Sequence, residues 1–183
     1  MLVIGVDLGG TQTRAVLANE EGRIINQRTT LTQAQEGPNA VLERICEQIE
    51  LAAGDHEFAA IGIGAPGATD PFNGVVIMAP NLPGWRNINL TRALGTRFGV
   101  PIFVGNDANL AGLAEHRYGA GQQCAHMIYI TVSTGIGGGV IVRDRMLLGR
   151  QGLAGEIGHV TVDLSAEERG EVAIGTLEVL ASG

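Results

Sequence analysis

Three stretches of this 183-residue chain combine residue types that could handle a phosphorylated ligand. The densest is Thr131-Val-Ser-Thr-Gly-Ile-Gly-Gly-Gly-Val140, where an apolar run, Met127 to Val132, enters four glycines within five positions. A second apolar run, Gly139 to Val142, follows at once. Glycine at that density lets a backbone take φ > 0 and approach a ligand closely. Successive N–H groups in a tight turn make a concave anion site. A plain glycine-rich hairpin is an equal alternative at this point. Val6-Asp-Leu-Gly-Gly-Thr11 repeats the strand-then-glycine form, and Gly105-Asn-Asp-Ala-Asn109 sets a carboxylate where a strand ends and a helix begins. On spacing alone Asp107 reads more readily as a helix N-cap than as an acid–base group. Asp7 reads equally as a strand-end turn residue. Gly62-Ile-Gly-Ala-Pro-Gly67 has the spacing of a dinucleotide fingerprint. Pro66 and the turn-rich Thr69 to Gly74 lead it into another strand instead of the helix that fingerprint must open, so that reading is set aside.

The elements that must position these groups follow from periodicity. Residues 2–8, Arg14 to Ala18 and Arg23 to Thr30 predict a β-meander. Pro38 opens a helix in which Val41, Leu42, Ile45, Cys46 and Ile49 share one face and Glu43, Glu47 and Glu50 the other. Phe58 to Ile63 and Val75 to Met78 are strands, and Asn81-Leu-Pro-Gly-Trp85 is an irregular loop. A helix over 89–98 has Asn89 as N-cap. Pro101 to Val104 is a strand, and Asp107 to Tyr118 a helix with Leu110, Leu113 and Ala114 inward. Gly119-Ala-Gly-Gln-Gln123 is the expected hinge, giving domains at 1–118 and 119–183. In the second, strands at 127–132 and 139–143 flank the glycine turn. A third strand near Arg145 to Leu148 and a fourth at Val160 to Val162 follow. Residues 165–175 read as irregular, and a helix starts at Thr176.

Composition narrows the function. With 45% hydrophobic and 17% charged residues the chain can bury a core. Its net charge of −7, with no basic cluster, gives no electrostatic support for nucleic acid or an anionic membrane surface. All 12 basic residues are arginine, which excludes a Walker-type phosphate loop and lysine Schiff-base chemistry. Cys46 and Cys124 stand apart and suggest neither a disulfide framework nor a cysteine-rich metal site. His56, His116 and His126 lie in no motif and read as structural or surface residues. The absence of a signal-like or membrane-length apolar stretch leads us to expect a soluble, cytoplasmic protein.

Six short motifs then occur in order: Asp7-Leu-Gly-Gly-Thr11, Gly64-Ala-Pro-Gly67, Asn81-Leu-Pro-Gly-Trp85, Asn106-Asp-Ala-Asn109, Thr134-Gly-Ile-Gly-Gly-Gly139 and Gly155-Glu-Ile-Gly-His159. Each alone is weak. Together they resemble the ROK family (repressors, open reading frames and sugar kinases), most closely its glucokinase-like members. The resemblance implies an α/β, actin-like ATPase or sugar-kinase fold (ribonuclease H-like), with two domains about a cleft. It implies ATP-dependent phosphorylation of a hexose hydroxyl, with glucose to glucose 6-phosphate favoured by the Asn81–Trp85 motif. Gly9, Gly10, Thr11, Thr13, Thr134 and Gly135 would then face the ATP phosphates, Asp7 would hold Mg²⁺ through water, and Asp107 would be the catalytic base. Gly67, Asn81, Asn106, Asp107, Glu156, His159 and Glu178 would bind the sugar. Without the resemblance, Glu156 and His159 could equally be surface turn residues. A homodimer is compatible with this picture.

Two departures from the family stand out. Many members follow the histidine with a cysteine-rich segment that binds structural Zn²⁺. Arg169, Glu171 and Thr176 stand at those three positions here, so thiolate ligation is unavailable and no zinc is expected. The chain is also short for the family, and its second domain is expected to be incomplete, with exposed apolar surface. The competing functions are a non-catalytic sugar-binding protein and a sugar-responsive regulator. The regulators of the family carry an N-terminal helix-turn-helix, whereas here a strand begins at Leu2.

Overall fold

A computed structural model describes residues 1–165 and 175–183. The chain divides into two compact units, Met1–Asp107 and Ala108–Gly183.

The first unit is built on a five-stranded sheet. The expected meander is present as β1 (Leu2–Leu8), β2 (Gln12–Asn19) and β3 (Ile24–Leu31). Further strands are β4 (Ile61–Ala65), β5 (Ala68–Asp70), β6 (Val75–Met78), β7 (Arg86–Asn89) and β8 (Ile102–Asn106). The large sheet has the order β3-β2-β1-β4-β8, with β1, β4 and β8 parallel. β4 begins at Ile61, later than the expected Phe58, although the Ala59 N–H already donates to the Leu2 carbonyl at 2.9 Å. It turns into β5 without an intervening helix, as rejection of the dinucleotide motif required. β5, β6 and β7 form a small antiparallel sheet.

Alternation decides the burial. Ile4, Val6 and Leu8 of β1, Thr13, Ala15 and Leu17 of β2, and Ile61, Ile63 and Ala65 of β4 are all buried. Helix α1 (Pro38–Ala53) lies over β1–β3 with Val41, Ile45, Cys46, Gln48, Ile49, Ala52 and Ala53 inward, a stripe of 3.6-residue period. Pro38 suits its first turn, where an N–H would lack a partner anyway. Burying each large aliphatic stabilises by about 1.5–3 kcal/mol, so a charge at Ile45 would break the contact. Helix α2 (Leu90–Phe98) starts where the Asn89 side chain accepts the Arg92 N–H at 2.7 Å, as expected of that cap. Arg97 from α2 reaches Glu43 and Glu50 of α1, each at 2.9 Å.

Helix α3 (Asp107–Tyr118), whose bounds match expectation, belongs to the second unit from Ala108 onward. The compact units divide just after the first residue of this helix, at Asp107/Ala108, and not at 118/119. The reason is packing: Ala108, Asn109 and Gly112 approach β9 (His126–Val132) and β10 (Ile136–Val142). The expected inward face is corrected accordingly. Ala108, Asn109, Gly112 and His116 are buried, Leu110 and Leu113 only half so, and Ala114 is exposed. β9, β10 and β11 (Arg145–Met146) form an antiparallel sheet. The expected strand at Val160 to Val162 is only a single bridge, Thr161 to Thr176. A short helix α4 (Leu177–Ala181) follows. Ile128, Ile130 and Val132, on one face of β9, are each more than half exposed. Among the described residues no helix is long and apolar enough to cross a membrane.

Candidate functional site

In an open sheet with parallel strands, ligands collect beyond the carboxyl ends of those strands. Here three such ends lie side by side. Asp7 of β1 is level with Gly64 of β4, Gly64 with Gly105 of β8, and Ala65 with Asn106. Each strand then runs into one of the motifs: Gly9-Gly-Thr11 after β1, Pro66-Gly67 after β4, and Asp107 after β8. The register therefore gathers Asp7, Gly67, Asn106 and Asp107 on one edge of the first unit.

The loops on that edge are held in shape. Gly67 has φ 77°, and a Cβ there would stand 2.3 Å from the Met78 carbonyl oxygen, so no other residue fits without movement. Its own carbonyl accepts from Asn106 Nδ2 and Thr69 Oγ1, both at 3.2 Å. Asn81 lies in a loop closed on itself by Leu82 N–H to Ala79 O (3.0 Å), Trp85 N–H to Leu82 O (3.1 Å) and Ala79 N–H to Trp85 O (3.2 Å). Leu82 and Trp85 are 1% exposed and pin the loop to the core, which leaves Asn81 outside. A methyl at Gly10 would meet both Cβ and the carbonyl oxygen of Asn81 at 3.1 Å. The glycine turn and the Asn81 loop are thus close neighbours.

Gly9, Gly10 and the glycines at 135 and 137–139 all have φ outside the left-handed region, contrary to the expectation that they supply φ > 0. What they supply is room. Thr11 is exposed, but Thr13 is 1% exposed with its hydroxyl 2.9 Å from that of Thr32. Thr13 therefore supports the turn from beneath, and its expected contact with phosphate is corrected. Thr32, which the motifs passed over, also donates to the Gly9 carbonyl at 2.6 Å. The signal for it is a threonine closing the strand that pairs with β2 directly beside the glycine turn.

In the second unit the turn proper is Ser133–Gly135, closed by Ser133 N–H to Gly135 O at 2.9 Å, and Thr134 is exposed upon it. Gly137, Gly138 and Gly139 belong to β10 and serve packing. A Cβ at Gly137 would stand 2.7 Å from Ala108 Cβ, and one at Gly138 2.7 Å from Ile157 Cδ1. Glu156 precedes and His159 ends a 3₁₀ turn, Ile157–His159, with His159 Nε2 3.8 Å from Glu156 Oε2. Glu178 Oε2 accepts the Ile136 N–H at 2.8 Å, and a Cβ at Gly135 would be 2.5 Å from that oxygen. A Cβ at Gly158 would lie 2.3 Å from the Ile136 carbonyl oxygen and 3.3 Å from Glu178 Cβ. Glu156, His159, Glu178, Thr134 and Gly135 accordingly belong to one neighbourhood.

As a cation ligand, Asp7 offers a carboxylate 59% exposed, with Arg14 Nη1 at 3.7 Å from Oδ2. That contact is long and leaves oxygen free, which suits Mg²⁺ held through water beside a phosphate. No cluster of three or more metal-binding side chains occurs among the described residues. Arg169 and Glu171, on which the zinc expectation rests, lie outside them; Thr176 is described and has no thiol.

The fold is that of the actin-like sugar kinases. A glucokinase from Streptomyces griseus, solved with glucose and AMPPNP, superposes with a TM-score of 0.82 at 40% identity, over 89% of this chain and 51% of that one. The ROK family profile matches residues 3–183, and the chain belongs to that family. It is 41% identical over 180 residues to a glucokinase of Thermotoga maritima, covering 98% of this chain and 57% of that protein. It is also 31% identical over 185 residues to a xylose repressor of Caldicellulosiruptor bescii, covering 98% of this chain and 46% of that protein. The chain spans about half the length of the curated relatives it matches.

Proposed function

We propose that this chain carries the phosphate turns and sugar ligands of an ATP-dependent hexose kinase, with glucose as the favoured acceptor. One observation carries the reading: Asp7, the Gly67 loop and Asn106-Asp107 share one edge of parallel strand ends, with Gly10 against Asn81. Phosphoryl transfer asks for positioning and charge neutralisation more than for covalent help from the protein. Backbone N–H groups around Gly9–Thr11 and at Thr134–Gly135 would hold the ATP phosphates. Asn81 and Asn106 would orient the sugar, and Glu156, His159 and Glu178 would read its hydroxyls. Asp107, exposed at the start of α3, would accept the proton of the attacking hydroxyl. A carboxylate at a helix N-terminus is stabilised as the anion and is a weak base. The loose transition state needs mainly an oriented acceptor, so a weak base suffices. Mg²⁺, held by Asp7, would neutralise phosphate charge.

The test is a coupled assay of ADP formation over a panel of hexoses, with Asp107→Asn beside the wild type. The variant should keep sugar binding and lose about 10²- to 10⁴-fold in turnover. Retention of more than about a tenth of wild-type kcat would remove Asp107 from the role. The repressor relative supports a second reading, a sugar-responsive protein without catalysis. Saturable sugar binding with no ADP formation on any hexose would favour that one.

A further inference from the structure

Thr32 is a residue that no motif includes, yet every polar group it owns is engaged at the first glycine turn or its support. It is 0% exposed. Its hydroxyl donates to the Gly9 carbonyl at 2.6 Å, and its N–H donates to the Thr11 carbonyl at 2.8 Å. Its own carbonyl accepts from Arg44 Nη1 at 2.6 Å, and Arg44 is in turn paired with Glu36. A threonine hydroxyl has a single proton. Since Thr32 gives that proton to Gly9, the 2.9 Å contact with Thr13 must run from the Thr13 hydroxyl to Thr32. The result is a directed chain, Thr13 to Thr32 to the Gly9 carbonyl.

The consequence lies in peptide geometry. In a planar trans peptide the C=O of one residue and the N–H of the next point in opposite directions. Fixing the Gly9 carbonyl on Thr32 therefore aims the Gly10 N–H away from Thr32. Fixing the Thr11 carbonyl on the Thr32 N–H does the same for the Gln12 N–H. One buried residue thus draws two carbonyls toward itself and aims two amides away from itself, which is the polarity an anion needs. The Gly9 N–H, already donating to the Gln12 carbonyl at 2.9 Å, is not among them.

We propose that Thr32 is the positioning residue that makes the Gly9–Thr11 turn a phosphate site, with the amides of Gly10 and Gln12 as its donors. The proposal rests on reading that turn as phosphate-binding. Inorganic tripolyphosphate is the probe, titrated into the 183-residue chain and followed by calorimetry and by backbone amide shifts. In the wild type the Gly10 and Gln12 amides should move most. Thr32→Val, which keeps the shape and removes the hydroxyl, should weaken binding by about tenfold and abolish those two responses. Thr32→Ser should restore them. A wild type that binds no tripolyphosphate overturns the phosphate reading and this proposal with it. Binding that shifts other amides and leaves Gly10 and Gln12 unmoved overturns this proposal alone, and needs no variant. So does a Thr32→Val chain that melts as the wild type does and binds as tightly.

Discussion

The two glycine turns look alike in sequence and are built on opposite principles. At Gly9–Thr11 the glycines stand in the turn, and the carbonyls of Gly9 and Thr11 are tied to one buried neutral residue, Thr32, the first by its hydroxyl and the second by its N–H. At Ser133–Gly135 most of the glycines lie beyond the turn, in β10, where α3 and the 155–158 loop press against them. One amide at the exit of this turn, Ile136 N–H, is already occupied by the Glu178 carboxylate. The first turn is thus fixed by a neutral residue, whereas the second carries a negative group of its own. Glycine density in a sequence reports close approach of something, and only the carbonyl partners tell whether that something is a ligand or the protein itself.

The supports differ as well. The first turn rises from β1, a central strand with β2 and β4 on either side and α1 over the sheet. The second joins β10 to β9, an edge strand with one apolar face largely exposed. Hydrogen exchange should separate them most strongly of all. Amides of β1 and β4 should be protected at least about 10²-fold more than those of β9, since central strands open only with the whole unit. Cys46 gives an independent reading: it is buried in α1, and burial pushes its thiol pKa up, whereas Cys124 is exposed. A thiol reagent should label Cys124 at once and Cys46 only as the first unit opens. Equal protection of β1 and β9 would break the contrast.

Substitution of the glycines tests the next level. Gly138→Ala would set its methyl 2.8 Å from the Gly155 carbonyl oxygen as well as against Ile157. Overpacking of this kind costs about 1–3 kcal/mol, so the second unit should melt earlier. Gly10→Ala meets Asn81 Cβ and its carbonyl oxygen at 3.1 Å, which asks for a shift of only a few tenths of an ångström. It should cost less than about 1 kcal/mol of stability while weakening tripolyphosphate binding, because the methyl narrows the approach to the turn. Equal melting of Gly138→Ala and wild type would show that the β10 glycines are not there for packing.

The sequence made some of this visible and hid the rest for physical reasons. Strong periodicity and punctuation located α1 with its buried face, the β-meander, the Asn89 cap and both ends of α3. The buried face of α3 was misread because Leu110 and Leu113 suggest a conventional apolar stripe. The helix instead meets β9 and β10 through Ala108 and Gly112, where a Cβ at Gly112 would be 3.4 Å from the Gly139 Cα. Hydrophobicity scales carry no signal for such close backbone packing. The motifs could be placed on their turns because a short motif fixes its own local shape. Thr13 and Thr32 could not be sorted, since a hydroxyl facing a ligand and one facing the core have the same letter. Only the pairing of β2 with β3, which brings positions 13 and 32 together, decides between them.

The smallest expected effect is the most informative about the second turn. Glu178 carries two expectations that compete: as a sugar ligand it should face a hydroxyl, and as the partner of Ile136 N–H it sits on the turn meant for phosphate. Glu178→Gln keeps an oxygen to accept that N–H and removes the charge. A unit charge about 4 Å from another contributes about 1 kcal/mol in water, so tripolyphosphate should bind at the second turn about fivefold more tightly in the variant. The gain should appear in the Thr134 and Gly135 amide shifts and leave those of Gly10 and Gln12 unchanged. Sugar affinity should fall at the same time, because an amide replaces a carboxylate as hydroxyl acceptor. A variant with unchanged phosphate binding and unchanged shifts at Thr134 and Gly135 would mean that the second turn holds no phosphate. The Glu178–Ile136 contact would then serve only to fasten α4 to the hairpin, and the chain would have one phosphate turn instead of two.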